Sequence, residues 1–78
     1  MIALFSVVNS NDKSVIEEFD IDVSEDRERL ADYGVDASEL AAGDSFDFGP
    51  EEAAEFAEDF GLDVSAPAGF SGRLFRPN

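Results

Sequence analysis

Every acidic residue of this 78-residue chain lies between Asp12 and Asp63, and this distribution limits how the chain can fold. That segment holds nineteen Asp and Glu but only three of the five Lys and Arg, and the net charge of the chain is −14. Because like charges destabilise a compact state, the acids must face solvent while the apolar residues share one core. Leu, Ile, Val and Phe supply 22 of the 78 residues, which exceeds the ~20% below which disorder is expected. We therefore expect a folded chain with a Phe-rich core.

The length predicts a single domain that spans residues 1–78. There is no Cys, so neither a disulfide nor a thiolate metal site can stabilise it. Residues 1–8 lack the basic start and the length of a signal peptide. No run approaches the ~20 apolar residues that cross a bilayer. We expect a cytoplasmic protein that anionic membranes repel.

Two strands are predicted near the N-terminus. Residues Ile2–Val8 form an apolar run rich in β-branched residues, which is typical of a buried strand. Residues Val15–Val23 alternate in their second half, as a half-buried strand does. One face of that strand carries Phe19, Ile21 and Val23, and the other carries Glu18, Asp20 and Asp22. The two strands are expected to form an antiparallel hairpin.

A short helix is predicted from Glu25 to Tyr33. Ser24 is a favourable N-cap, and Gly34 suits the position after the helix end. Glu25 and Arg29 have the spacing of an i,i+4 ion pair. Downstream, Asp36 and Glu39 resemble a capping box that opens one helical turn through Ala42.

The clearest helix is predicted to begin at Gly49-Pro50 and to end at Gly61. Its apolar residues recur at helical spacing, so one face can pack on the core. Residues 45–48 before it and 70–75 near the C-terminus are expected to be short extended segments, the latter a strand. The fold class is therefore α+β: an N-terminal antiparallel hairpin packed with two or three short helices, and a C-terminal strand that joins the sheet.

The residue types exclude most catalytic chemistry. The chain has neither His nor Cys, which removes the usual acid–base, nucleophilic and zinc arrangements. The spacing of Asp20, Asp22, Ser24 and Asp26 resembles the start of a calcium-binding EF-hand loop. However, its sixth position is Glu25 rather than Gly, and its twelfth is Ala31 rather than Glu. We expect no enzyme activity, no cofactor and no metal.

The acidic residues instead predict a protein partner. Carboxylates two residues apart on a strand repeat every ~6.6–6.8 Å, about the rise of two steps along one DNA strand. Helix neighbours three or four residues apart lie ~5–6 Å from each other. We expect a nucleic-acid mimic that binds a basic nucleic-acid-binding protein and does not itself bind nucleic acid. The candidate contacts are Glu18, Asp20 and Asp22 on the strand, and Glu51, Glu52, Glu55, Glu58 and Asp59 on the helix.

In size, charge and lack of catalytic residues the chain resembles the small phage-encoded inhibitors of CRISPR effectors or restriction enzymes. This resemblance concerns overall character, because those inhibitors share no diagnostic motif. It implies a DNA-mimicking inhibitor that acts in the cytoplasm of the host cell.

Residues 43–64 also resemble acyl carrier proteins. Gly43-Asp44-Ser45-Phe46-Asp47 is similar to the Asp-Ser-Leu motif of that family, and residues 55–64 are similar to the end of its second helix. The resemblance implies that Ser45 carries phosphopantetheine at the start of an acidic helix. A third hypothesis is adaptation to high salt, since one Lys stands against nineteen acids; under it the acids would say nothing about partners.

Overall fold

The computed structural model describes residues 2–36, 38, 40–66 and 69–77. Along the chain the elements are β1 (Ile2–Val8), β2 (Val15–Asp22), α1 (Arg27–Asp32), β3 (Ser45–Phe48), α2 (Pro50–Asp59) and β4 (Ser71–Phe75). The four strands form one antiparallel sheet in the order β2-β1-β4-β3. The predicted α+β class, the N-terminal hairpin and the C-terminal strand that joins the sheet are confirmed.

Both helices pack on one face of the sheet, and aromatic rings fill the space between. Phe5 of β1 is fully buried, and its ring stacks on Phe56 of α2 with 4.3 Å between centroids. Phe56 in turn stacks on Phe60 at 4.1 Å, and Leu30 of α1 joins the same core. The helix spacing of the apolar residues of α2 thus produces a surface that covers the sheet on this side.

Helix α1 is shorter than predicted. It begins at Arg27, and Ser24 is not its N-cap. The backbone N–H of Ser24 and that of the next residue donate to Oδ1 of Asp22, at 3.0 and 3.2 Å. The carboxylate at the end of β2 therefore organises a turn first, and helical geometry starts only after it.

The predicted ion pair between Glu25 and Arg29 does not form. Arg29 donates from Nη1 to the backbone oxygen of Asp59 at 3.1 Å, and its guanidinium lies 5.9 Å from the Phe60 ring centroid. An ion pair does join Arg73 Nε to Asp47 Oδ1, at 2.9 Å. Contacts with the end of α2 thus determine the position of Arg29 more than Glu25 does.

The predicted helical turn from Asp36 through Ala42 includes residues 37 and 39, which lie outside the described residues, and the described residues of this range are assigned to no helix. Glu39, the second half of the capping box, lies outside the described residues. Oδ1 of Asp36 accepts hydrogen bonds from the N–H and the hydroxyl of Ser38, at 2.9 and 2.6 Å. Arg76 donates to the backbone oxygen of the buried Leu40 at 2.7 Å, which fixes this loop against the end of β4.

Candidate functional site

The three acids predicted on the second strand form a row on the sheet face that the helices leave uncovered. In the register of β1 and β2, Glu18 lies opposite Ser6, Asp20 opposite Leu4, and Asp22 opposite Ile2. These positions alternate with Phe19 and Ile21, which point to the helices. Because β2 is an edge strand, one side of this strand row is open to a partner. The strand row consists of Glu18, Asp20 and Asp22.

The members of the strand row differ in solvent exposure and in the hydrogen bonds that they already accept. Glu18 and Asp20 are exposed, whereas Asp22 is half-buried. Asp22 already accepts the two backbone hydrogen bonds of the turn before α1. Ser6 donates to Oε2 of Glu18 only at 3.4 Å, which is a weak bond. Glu18 and Asp20 are therefore the members best placed to contact a partner.

The five acids predicted on the long helix are all exposed on α2. Ala53, Phe56 and Ala57 form its buried side, so the acids occupy the solvent side. Glu51 and Glu52 lie in the first turn, and no basic residue lies in the last. The helix row consists of Glu51, Glu52, Glu55, Glu58 and Asp59.

The fold places the two rows on opposite sides of the molecule. Helix α2 covers the sheet face that carries Phe5, while the strand row lies on the other face. The principal extents of the chain are 31 × 24 × 18 Å. A partner that contacts both rows must therefore reach around the molecule or hold it in a cleft.

Tyr33 contacts the helix row, a contact that the sequence pattern does not predict. The Tyr33 hydroxyl donates to Oδ2 of Asp59. Burial, this hydrogen bond and the negative charges of Asp59, Glu55 and Asp32 raise the pKa of Tyr33 well above its ordinary value. Tyr33, the residue that follows α1, therefore contacts α2 through Asp59. No local pattern pairs these positions, because the contact depends on Tyr33 packing on Phe56.

The carboxylates keep their charges open to solvent. Of the eighteen acidic residues in the described part of the chain, none is buried. Asp47 pairs its charge with Arg73. Hydrogen bonds from Ser65 lower the pKa of Glu17, and those from Ser14 lower the pKa of Asp12. These two carboxylates therefore stay ionised to lower pH than ordinary ones.

Ser45 is not at the start of a helix, as the acyl-carrier resemblance implies. It is the exposed first residue of β3 and lies opposite Phe75, and α2 begins only at Pro50. The β-propensity of Phe46 and Phe48 and the space beside β4 favour a strand here. Modification of Ser45 stays a prediction, which the intact mass of the purified chain would test.

The described residues include no group of three or more carboxylates arranged to hold a metal ion. None of the helices seen in those residues is long and apolar enough to cross a bilayer. Comparison with known protein families, with curated proteins and with solved structures finds no match to this chain. A functional argument for it therefore depends on its own surfaces and charges.

Proposed function

We propose that this protein is an acidic nucleic-acid mimic, which binds the DNA- or RNA-binding groove of a basic protein and blocks it. The observation that supports this most is its charge per unit length. A net charge of −14 over a longest extent of 31 Å is one negative charge per about 2.2 Å, against ~1.7 Å of helix axis in duplex DNA. A groove that accommodates phosphates would meet a similar charge density here.

The placement of the acids is consistent with this role. Both rows lie on regular elements, so their side chains start from fixed positions. A duplex presents phosphates on two strands, and this chain presents carboxylates on two opposite faces. A partner whose Lys and Arg line both walls of a cleft can therefore contact the strand row and the helix row together. Counterion release would then favour binding, as it does for DNA.

The partner class is a basic nucleic-acid-binding protein, such as a CRISPR effector or a restriction enzyme, and the place of action is the cytoplasm. The protein itself would repel nucleic acid through the same field. In this proposal it has no catalytic role and takes no cofactor.

The test is capture of targets on the immobilised chain at about 100 mM salt, where the Debye length is ~10 Å, followed by elution with duplex DNA. We expect nucleic-acid-binding proteins to be retained and to elute with DNA. A variant with Glu55→Gln and Glu58→Gln should retain less of them. The matched control, Glu55→Asp with Glu58→Asp, keeps both charges and should retain them. Retention that is indifferent to salt, or that DNA does not reverse, would contradict the proposal.

A further inference from the structure

The central strand β1 is apolar on both of its faces. Ala3, Phe5 and Val7 point to the helices and are fully buried. Ile2, Leu4 and Val8 point the other way. Antiparallel strands with one face in water usually alternate between apolar and polar residues, whereas strands covered on both faces are apolar throughout. β2 follows the first pattern. β1 is closer to the second, since Ser6 is its single polar residue, although helices cover only one of its faces.

We call the uncovered side of the sheet the open face. Leu4 lies at its centre, between Asp20 on β2 and Phe75 on β4. Leu4 and Phe75 are half-buried, Ile2 is 49% exposed, and neither Leu4 nor Phe75 belongs to the core cluster or packs against it. On the two central strands, the open face consists of Ile2, Leu4, Ser6 and Val8 of β1 and Ser71, Arg73 and Phe75 of β4. On the edge strands, it consists of the strand row of β2 and of Ser45 and Asp47 of β3.

The charge of the open face differs between its β2 side and its β3 side. Adjacent strands lie ~4.8 Å apart, so the strand row is directly beside Leu4 and Ile2. On the far side Arg73 pairs with Asp47. A depression of about 420 Å³ beside β3 and β4 has Lys13, Asp47 and Arg73 in its lining. A positively charged partner is thus attracted along β2 and not along β3.

We infer that the open face binds a basic amphipathic helix of a partner protein, with the apolar stripe of that helix on Ile2, Leu4 and Phe75 and its Lys or Arg side chains beside Glu18 and Asp20. A helix is ~10–12 Å across, and the four strands span about 14 Å. Such a helix would cover the open face as α2 covers the other, and would bury both faces of β1.

A second copy of the chain does not fit this surface. Pairing of two open faces would bring two strand rows together in a complex of twice the net charge, and like charges in contact oppose association. The inference goes beyond the proposed function, because the partner need not bind nucleic acid. Binding of a peptide to the open face and displacement by DNA are separate measurements, so either proposal can fail alone.

The first test maps binding on the unmodified chain. An isotope-labelled sample is titrated with a designed peptide of Leu, Lys and Ala of about 18 residues, long enough to form a helix, with Leu in one helical stripe. We expect NMR shift changes on β1, on β4 and at the strand row. A scrambled peptide of the same composition should bind at least about tenfold more weakly, because it has no stripe to bury. Equal binding of both peptides, changes centred on the helix row, or dimers without peptide would overturn the inference.

Variants separate the apolar contribution from the charge. Leu4→Thr with Phe75→Thr keeps residues that favour strands and should raise the Kd at least about tenfold. Glu18→Gln with Asp20→Asn should raise the Kd and weaken its dependence on salt. The matched control, Glu28→Gln with Asp63→Asn, removes as much charge at exposed positions outside both rows and should change the Kd less than about twofold. Thermal melts confirm that each variant is folded, and the inference fails if the control weakens binding as much.

Discussion

Gly72 illustrates how closely the core is packed. It lies on the sheet face that the helices cover, opposite Val7 and diagonal to Phe5. A Cβ at this position would lie 2.6 Å from Cζ of Phe5 and 3.2 Å from Cβ of Ala53. Because the Phe5 ring is fully buried and stacked on Phe56, it has no free space to move into. The close approach of β4 to α2 therefore requires glycine here.

We expect Gly72→Ala to lower the free energy of unfolding by about 1–3 kcal/mol, as overpacking of a filled core does. Urea denaturation followed by circular dichroism measures this change. Gly49→Ala is the control, since a Cβ there meets nothing within 4 Å. As Gly49 is the N-cap of α2, where Gly is preferred to Ala, its replacement should cost about 0.5–1 kcal/mol through the cap alone. Equal losses in the two variants would show that the Phe5 contact is not the cause.

Because of Tyr33, we expect the free energy of unfolding to depend on pH in the alkaline range. The folded chain holds the phenolic proton above pH 10.0, the ordinary pKa, because of burial and the charges of Asp59, Glu55 and Asp32. The unfolded chain releases that proton, so the free energy of unfolding should fall as the pH rises above 10.0. This loss should be absent in Tyr33→Phe. Urea titrations of both chains between pH 8 and 11 give the comparison, and parallel curves would contradict the assignment.

At the scale of the element, the helix row includes acids that do not stabilise α2. Glu51 and Glu52 in the first turn interact favourably with the helix dipole, while Glu58 and Asp59 in the last turn oppose it. Asp59 is offset by its hydrogen bond with Tyr33, but Glu58 is exposed. A carboxylate at an unfavourable, exposed position is consistent with a role in binding.

We therefore expect Glu58→Gln to raise the free energy of unfolding by about 0.3–1 kcal/mol, and Glu51→Gln to lower it or leave it unchanged. Both variants remove one negative charge, so the difference between them isolates the position on the helix. Thermal melts at low ionic strength measure it. Equal shifts would mean that overall repulsion, and not the dipole, determines the cost of these residues.

At the scale of the whole molecule, repulsion among unpaired carboxylates opposes folding. Salt screens this repulsion, so the free energy of unfolding should rise by on the order of 1 kcal/mol between 10 and 150 mM NaCl. Binding to a basic partner should weaken over the same range. Opposite responses of stability and binding distinguish mimicry from adaptation to high salt. A chain that is unfolded at 150 mM and folds only in molar salt would instead support the halophile hypothesis.

The strands and the long helix could be predicted because their signals are local. Alternation around Phe19 and Ile21, the apolar run of β1 and the Pro50 start of α2 are all visible within ten residues. The start of α1 was predicted incorrectly because two capping groups compete there. Asp22 accepts from the N–H groups of Ser24 and Glu25 and holds them in a turn, and local propensity alone does not decide between this turn and an N-cap at Ser24.

The sequence by itself determined the class of the fold, the exposure of the acids and the membership of the two rows, because periodicity and charge fix which side of each element meets water. Only the tertiary structure decided where those sides lie. Strand order places the strand row at the edge of the open face, the packing of α2 on the other face puts the helix row on the opposite side, and Tyr33 contacts Asp59. These relations depend on contacts between residues far apart in the chain, which no local pattern encodes.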